Sequence, residues 1–88
     1  MCNIKCLKYI TETKVFVLSG QFDSLCNSLL IINTGTDPVS IDGLILQQNQ
    51  SWSIEGNYNE ILIKTYSFTF QNINAVQSLT VIYKRYVD

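Results

Sequence analysis

Histidine is absent from this 88-residue chain, and alanine, proline, arginine, methionine and tryptophan occur once each. Without histidine, neither a Ser-His-Asp nor a Cys-His catalytic arrangement can be built. Cys2, Cys6 and Cys26 include no Cys-x-x-Cys pair, so the usual zinc spacing is missing too. Charge is scarce: 15% of residues against roughly 25% in typical domains. The six basic residues are scattered from Lys5 to Arg85 and leave no stripe that could neutralise phosphates, which argues against nucleic acid as a partner. No apolar run exceeds four residues, as in Leu29–Ile32, whereas a membrane-spanning helix needs about 20. No membrane partner is expected. Lys5 and Lys8 interrupt the stretch where the apolar core of a signal peptide would lie, so the chain is expected to be made and to fold in the cytoplasm. All three thiols should then be free. In an extended segment Cys2 and Cys6 stand about 13 Å apart, beyond the roughly 7 Å that a disulfide spans.

What fills the gap is uncharged polarity and β-branched bulk. Asn, Gln, Ser and Thr together make 29 residues, Ile alone 11, and the aromatics include five Tyr and four Phe. A disordered chain is poor in these apolar types, so the chain folds, and at this length as one domain, residues 1–88. Residues with AT-rich codons number 34 against seven with GC-rich ones, the mark of an AT-rich genome such as many bacteria and their phages carry.

The hydrophobic pattern has the period of strands, with no 3.6-residue stripe. Strands are predicted at Ile4–Ile10, Lys14–Ser19, Ser28–Asn33, Val39–Ile41, Leu44–Leu46, Ser51–Glu55, Glu60–Phe70 and Ser78–Tyr86. Gln21–Asn27 reads as a loop or one helical turn. Ser28–Asn33 is apolar on both faces, which predicts a central strand. Asp42-Gly43, between Ile41 and Leu44, is the residue pair that a type I′ hairpin requires. About seven short strands with turn chemistry between them predict an all-β fold, a compact antiparallel β-sandwich of Ig-like or jelly-roll-like form, with a small barrel as the alternative.

Few residues carry chemistry. Glu55 and Glu60 flank a turn, which is ordinary surface chemistry, and no P-loop, Gly-x-Gly-x-x-Gly or Gly-x-Ser-x-Gly motif occurs. Neither an enzyme nor a bound cofactor is expected. The same turn offers a different candidate, a sugar site in which Trp52 and Tyr58 supply ring faces and Glu55, Asn57 and Asn59 supply hydrogen bonds. Calcium needs about six to eight oxygens, more than this loop's two carboxylates promise, so no metal is expected. Trp52 alternates with Ile54 and reads first as a core residue.

Between Ile32 and Phe70 the chain carries Asn33-x-Gly35, Val39-Ser40-Ile41, Asp42-Gly43, Leu46 and Ser51-x-Ser53-Ile54. In this pattern it resembles small β-sandwich accessory proteins of tailed bacteriophage virions. It departs from many of them in having Gln48-Asn49-Gln50 where they carry Pro-Gly. The richness in Asn, Ile and Tyr resembles structural proteins of the crAss-like gut phages. The resemblance implies a capsid-decoration or head-fibre component located in the virion, binding other virion proteins or further copies of itself. Two other readings stay open, a carbohydrate-binding adhesion module and a small adaptor or inhibitor from a mobile element.

An interface is expected because several strands are apolar on both alternating sets. Ile61 and Ile63 oppose Leu62 and Tyr66; Ile82 and Tyr86 oppose Val81 and Tyr83. A sandwich of this size needs one apolar face per sheet for its own core, which leaves Ile61, Ile63, Ile82 and Tyr86 as candidate contacts to a partner subunit.

Overall fold

The computed structural model describes residues 8–57 and 59–87. Eight strands follow in order: β1 Lys8–Phe16, β2 Gly20–Asp23, β3 Ser28–Asn33, β4 Val39–Ile41, β5 Leu44–Leu46, β6 Ser51–Ile54, β7 Thr65–Phe70 and β8 Leu79–Val87. They form two four-stranded sheets, ordered β1-β8-β3-β6 and β2-β7-β4-β5, with every neighbouring pair antiparallel. The expected all-β sandwich is what forms. Every connection except β4–β5 crosses from one sheet to the other. Eight strands wound in this order make a jelly roll. The connections β1–β2, β3–β4, β5–β6 and β7–β8 gather at one end of the sandwich, and β2–β3, β4–β5 and β6–β7 at the other.

Alternation along each strand decides what is buried. Leu29, Ile31 and Asn33 of β3, Tyr66, Phe68 and Phe70 of β7, and Leu79, Val81 and Tyr83 of β8 point inward and are buried. Phe22 lies at the centre of the aromatic packing, stacked on Phe16 at 5.7 Å and on Tyr66 at 5.3 Å, with Tyr83 edge-on at 6.3 Å. Such pairs add about 0.5–1.5 kcal/mol each beyond the area they bury.

The Asp42-Gly43 hairpin forms as predicted. Ile41 pairs with Leu44, and both central residues have positive φ, 48° and 90°. At the other end Gly35 is required by space, because a Cβ there would collide with the Val76 carbonyl and the Ser78 amide.

The structure corrects three expected boundaries. A single strand, Lys8–Phe16, runs through Thr11-Glu12-Thr13, where two strands with a break were expected. No residue in that stretch forces a turn, and two Thr favour extension. The part of the first expected strand before Lys8 lies outside the described residues. Gly20–Asp23 is a strand, its Phe22 drawn inward by the core. The expected strand Glu60–Phe70 begins only at Thr65. Side chains of the β2–β3 connection capture the segment before it: the Ser24 hydroxyl donates to the Leu62 carbonyl at 2.7 Å and accepts from the Lys64 amide at 2.9 Å.

Candidate functional site

The outward face of the β1-β8-β3-β6 sheet can be built row by row from the register. Thr13, Ile82, Leu30 and Ser53 make one row; Val15, Thr80, Ile32 and Ser51 make the next; Thr11, Lys84 and Ser28 make a third. Beyond them Tyr9 pairs with Tyr86. The centre of the face is therefore aliphatic and half-buried, and its flanks carry hydroxyls.

The Lys84 end of this face is hollowed into an open depression of about 460 Å³, whose lining includes Tyr9, Leu30, Glu55, Ile82, Lys84 and Tyr86. Two phenol rings meet edge-on there at 6.2 Å, and the Lys84 ammonium lies 4.5 Å from the Tyr9 ring centre and 4.9 Å from that of Tyr86. The negative ring faces hold the cation in place. Neither Lys84 nor Glu55 belongs to any of the three ion pairs among the described residues. The depression thus offers apolar contact, a positive charge, a carboxylate and hydroxyls on one open surface.

Of the four residues expected at an interface, Ile82 and Tyr86 lie on this face. Ile61 and Ile63 do not. They belong to the β6–β7 connection, on either side of Leu62, whose amide donates to the Cys26 carbonyl at 2.7 Å. Anchoring Leu62 leaves both neighbours in solvent, Ile61 at 64% and Ile63 at 78% exposure. Ile63 lies with Asp23, Leu25, Lys64 and Thr65 around a second shallow depression of about 370 Å³. Asn27 links the two regions: its side chain accepts from the Tyr86 amide at 2.8 Å and donates to the Glu60 carbonyl at 2.7 Å.

The residues expected to hold a sugar are separated. Trp52 turns inward, its ring edge-on to Tyr66 at 5.9 Å and packed against the core. Glu55 reaches the depression on the outer face. The main chain of Asn57 is tied down, its amide donating to a Glu60 carboxylate oxygen at 3.0 Å and its carbonyl accepting from the Asn27 side chain, and the residue itself is exposed. Asn59 is exposed in the turn, and Tyr58 lies outside the described residues. Among the described residues, no three His, Cys, Asp or Glu side chains converge as metal ligands do.

The buried polar groups serve the scaffold. The Asn33 amide donates to the Asp37 and Leu46 carbonyls, both at 2.9 Å, and its oxygen accepts from the Gly35 amide at 3.0 Å. One oxygen of the buried Asp37 carboxylate accepts from the Gln71 and Asn72 amides and the Gln77 side chain, which orders the β7–β8 connection. Cys26 is free and buried, and loss of solvent pushes its thiol above the ordinary value of 9.0, away from the reactive thiolate. Cys2 and Cys6 lie outside the described residues.

Sequence reasoning placed Lys84 on one face of its strand with Ile82 and Tyr86 but missed Tyr9 as a member of the same surface. The signal for that face was the alternation Ile82, Lys84, Tyr86, but finding Tyr9 requires knowing that it pairs with Tyr86, 77 residues away. It also missed the apolar loop residues Val17, Leu18, Ile73 and Val76, all exposed, on the two connections that leave the sheet side by side where Phe16 pairs with Leu79. Comparison with protein-family models, with curated proteins and with solved structures gives no match.

Proposed function

We propose that this domain is a non-catalytic structural subunit, an accessory component of a virion such as a capsid decoration or head fibre, that binds other virion subunits or copies of itself. The observation that carries the reading is the distribution of exposed apolar side chains. Among the described residues thirteen large hydrophobics are exposed, including Val17, Leu18, Ile73 and Val76 at one end of the sandwich and Leu25, Ile61 and Ile63 at the other. Leu44 and Ile45 add an apolar edge on the β4–β5 hairpin. A monomer with so few charges gains nothing from exposing them, whereas a subunit that covers them gains about 25 cal/mol for each Å² of apolar surface removed from water. The jelly roll is an architecture of viral capsid and lectin domains, which supports the reading as analogy of fold. The test is whether the chain travels with particles: purified virions from a producing culture should contain it in stoichiometric amount.

A second reading, a carbohydrate-binding adhesion module, draws on the outer-face depression. Tyr9, Tyr86, Lys84 and Glu55 would meet the sugar, and Trp52 would serve only the core. Glycan binding that Tyr86→Ala and Glu55→Ala both abolish would favour it over the first.

A further inference from the structure

A sandwich of two open sheets has four edges, and they are far from equal. β2 and β6 are four residues long and β5 is three, but β1, at the edge of its sheet, is nine. Proteins commonly blunt edges with short strands, proline, bulges or charged side chains, and among the described residues β1 carries only the last of these, Lys8, Glu12 and Lys14 on the inner side of its sheet. β1 has no Pro or Gly, and it pairs with β8 without interruption from Lys8–Val87 to Phe16–Leu79. All its residues but Phe16 are exposed. Ile10 faces the inner side of its sheet and is still 53% exposed, because β2 has only four residues and the second sheet does not extend beneath it.

We propose that the open edge of β1 pairs antiparallel with the β1 edge of a second copy, joining two molecules through one continuous eight-stranded sheet. This rests on the assembly reading and names a second copy as one of the partners. A two-fold axis normal to the sheet keeps both outward faces on the same side, so facing residues share a side of the strand and the axis passes through one residue. Charge then selects the register. An axis at Thr11 sets Lys8 against Lys14, and one at Glu12 or Lys14 sets that residue against itself. An axis at Ile10 pairs Lys8 with Glu12 but engages only Lys8–Glu12 of the described strand. An axis at Thr13 adds two intermolecular Glu12–Lys14 pairs to the exposed pairs that Glu12 already makes with Lys14 and Arg85 of its own chain, sets Ile10 opposite Phe16, and engages all of Ile10–Phe16. Main-chain hydrogen bonds and the Ile10–Phe16 contacts supply the affinity. The exposed ion pairs supply register rather than strength.

The experiment uses the full chain alone, with molar mass followed by light scattering or sedimentation across a concentration series. The wild type should dimerise. Glu12→Lys and Lys14→Glu should each put like charges opposite one another and weaken the dimer about tenfold or more. Circular dichroism should show both variants folded. Mixing them should restore a heterodimer, because each then carries the charges that the other's edge requires, and the double variant Glu12→Lys/Lys14→Glu should dimerise like the wild type. Three results would each overturn the proposal: a wild type monomeric at high micromolar concentration, single variants that dimerise unchanged, or no rescue on mixing. No particle is involved, so a monomeric wild type that still enters virions defeats the edge pairing and leaves the assembly reading standing.

Discussion

Asn33 and Asp37 show how a chain this short keeps eight strands in order. Both side chains are fully buried at the end of the sandwich where four connections meet, and both hydrogen-bond main-chain groups there. Asn33→Ala removes three hydrogen bonds to buried main-chain groups, and each buried group left without a partner costs about 1–3 kcal/mol. Denaturant unfolding should find the variant about 2–4 kcal/mol less stable, and Asn33→Asp at least as damaged, since a carboxylate cannot donate to the carbonyls of Asp37 and Leu46. The buried Cys26, Tyr66 and Tyr83 carry a second residue-scale consequence. Burial raises all three above their ordinary values of 9.0, 10.0 and 10.0, so the folded chain holds these protons after the unfolded chain has released them. The stability they contribute is complete below about pH 9 and is lost as pH rises through their folded values. The denaturation midpoint should therefore stay level near neutrality and fall at alkaline pH. A midpoint that stays level well above pH 10 would show that these groups are not shielded from solvent.

Among the elements, those with local causes were legible and those with distant causes were not. The β4–β5 hairpin needs only Asp42-Gly43, whose backbone preference fixes turn and register together. Gly43→Val should cost about 1–2 kcal/mol, because a Cβ at φ 90° is strained even though nothing crowds it, and thermal unfolding would report the loss. β3 was legible from its run of four apolar residues, Leu29–Ile32, and it is an interior strand of its sheet as expected. β7 was overextended for a physical reason. Glu60–Lys64 alternates like a strand, but the Ser24 hydroxyl and the Cys26 carbonyl bind its backbone first, and neither is visible from the local pattern. The same holds for the candidate surfaces. That Ile82 and Tyr86 face outward followed from alternation within β8. Their meeting with Tyr9 depended on β1–β8 pairing, and the separation of Trp52 from Glu55 depended on which face of β6 the core occupies.

At the scale of the molecule, the inner faces of the two sheets close one core around Phe22, and the outer surface is what remains for function. That surface has three parts with different chemistry: apolar connections at both ends, a long open edge at β1, and a hollowed sheet face holding Lys84 between two tyrosines. The central claim is that the apolar connections are contacts to other subunits. Ile61 and Ile63 test it most directly, because both stand in solvent beside an anchored Leu62 and contribute nothing to the core. Ile61→Lys with Ile63→Lys should leave the circular dichroism spectrum and unfolding midpoint nearly unchanged. The decisive measurement is the amount of this double variant, relative to wild type, in purified particles from a culture that expresses both. The account predicts strong depletion of the folded variant; equal incorporation of the two would contradict it.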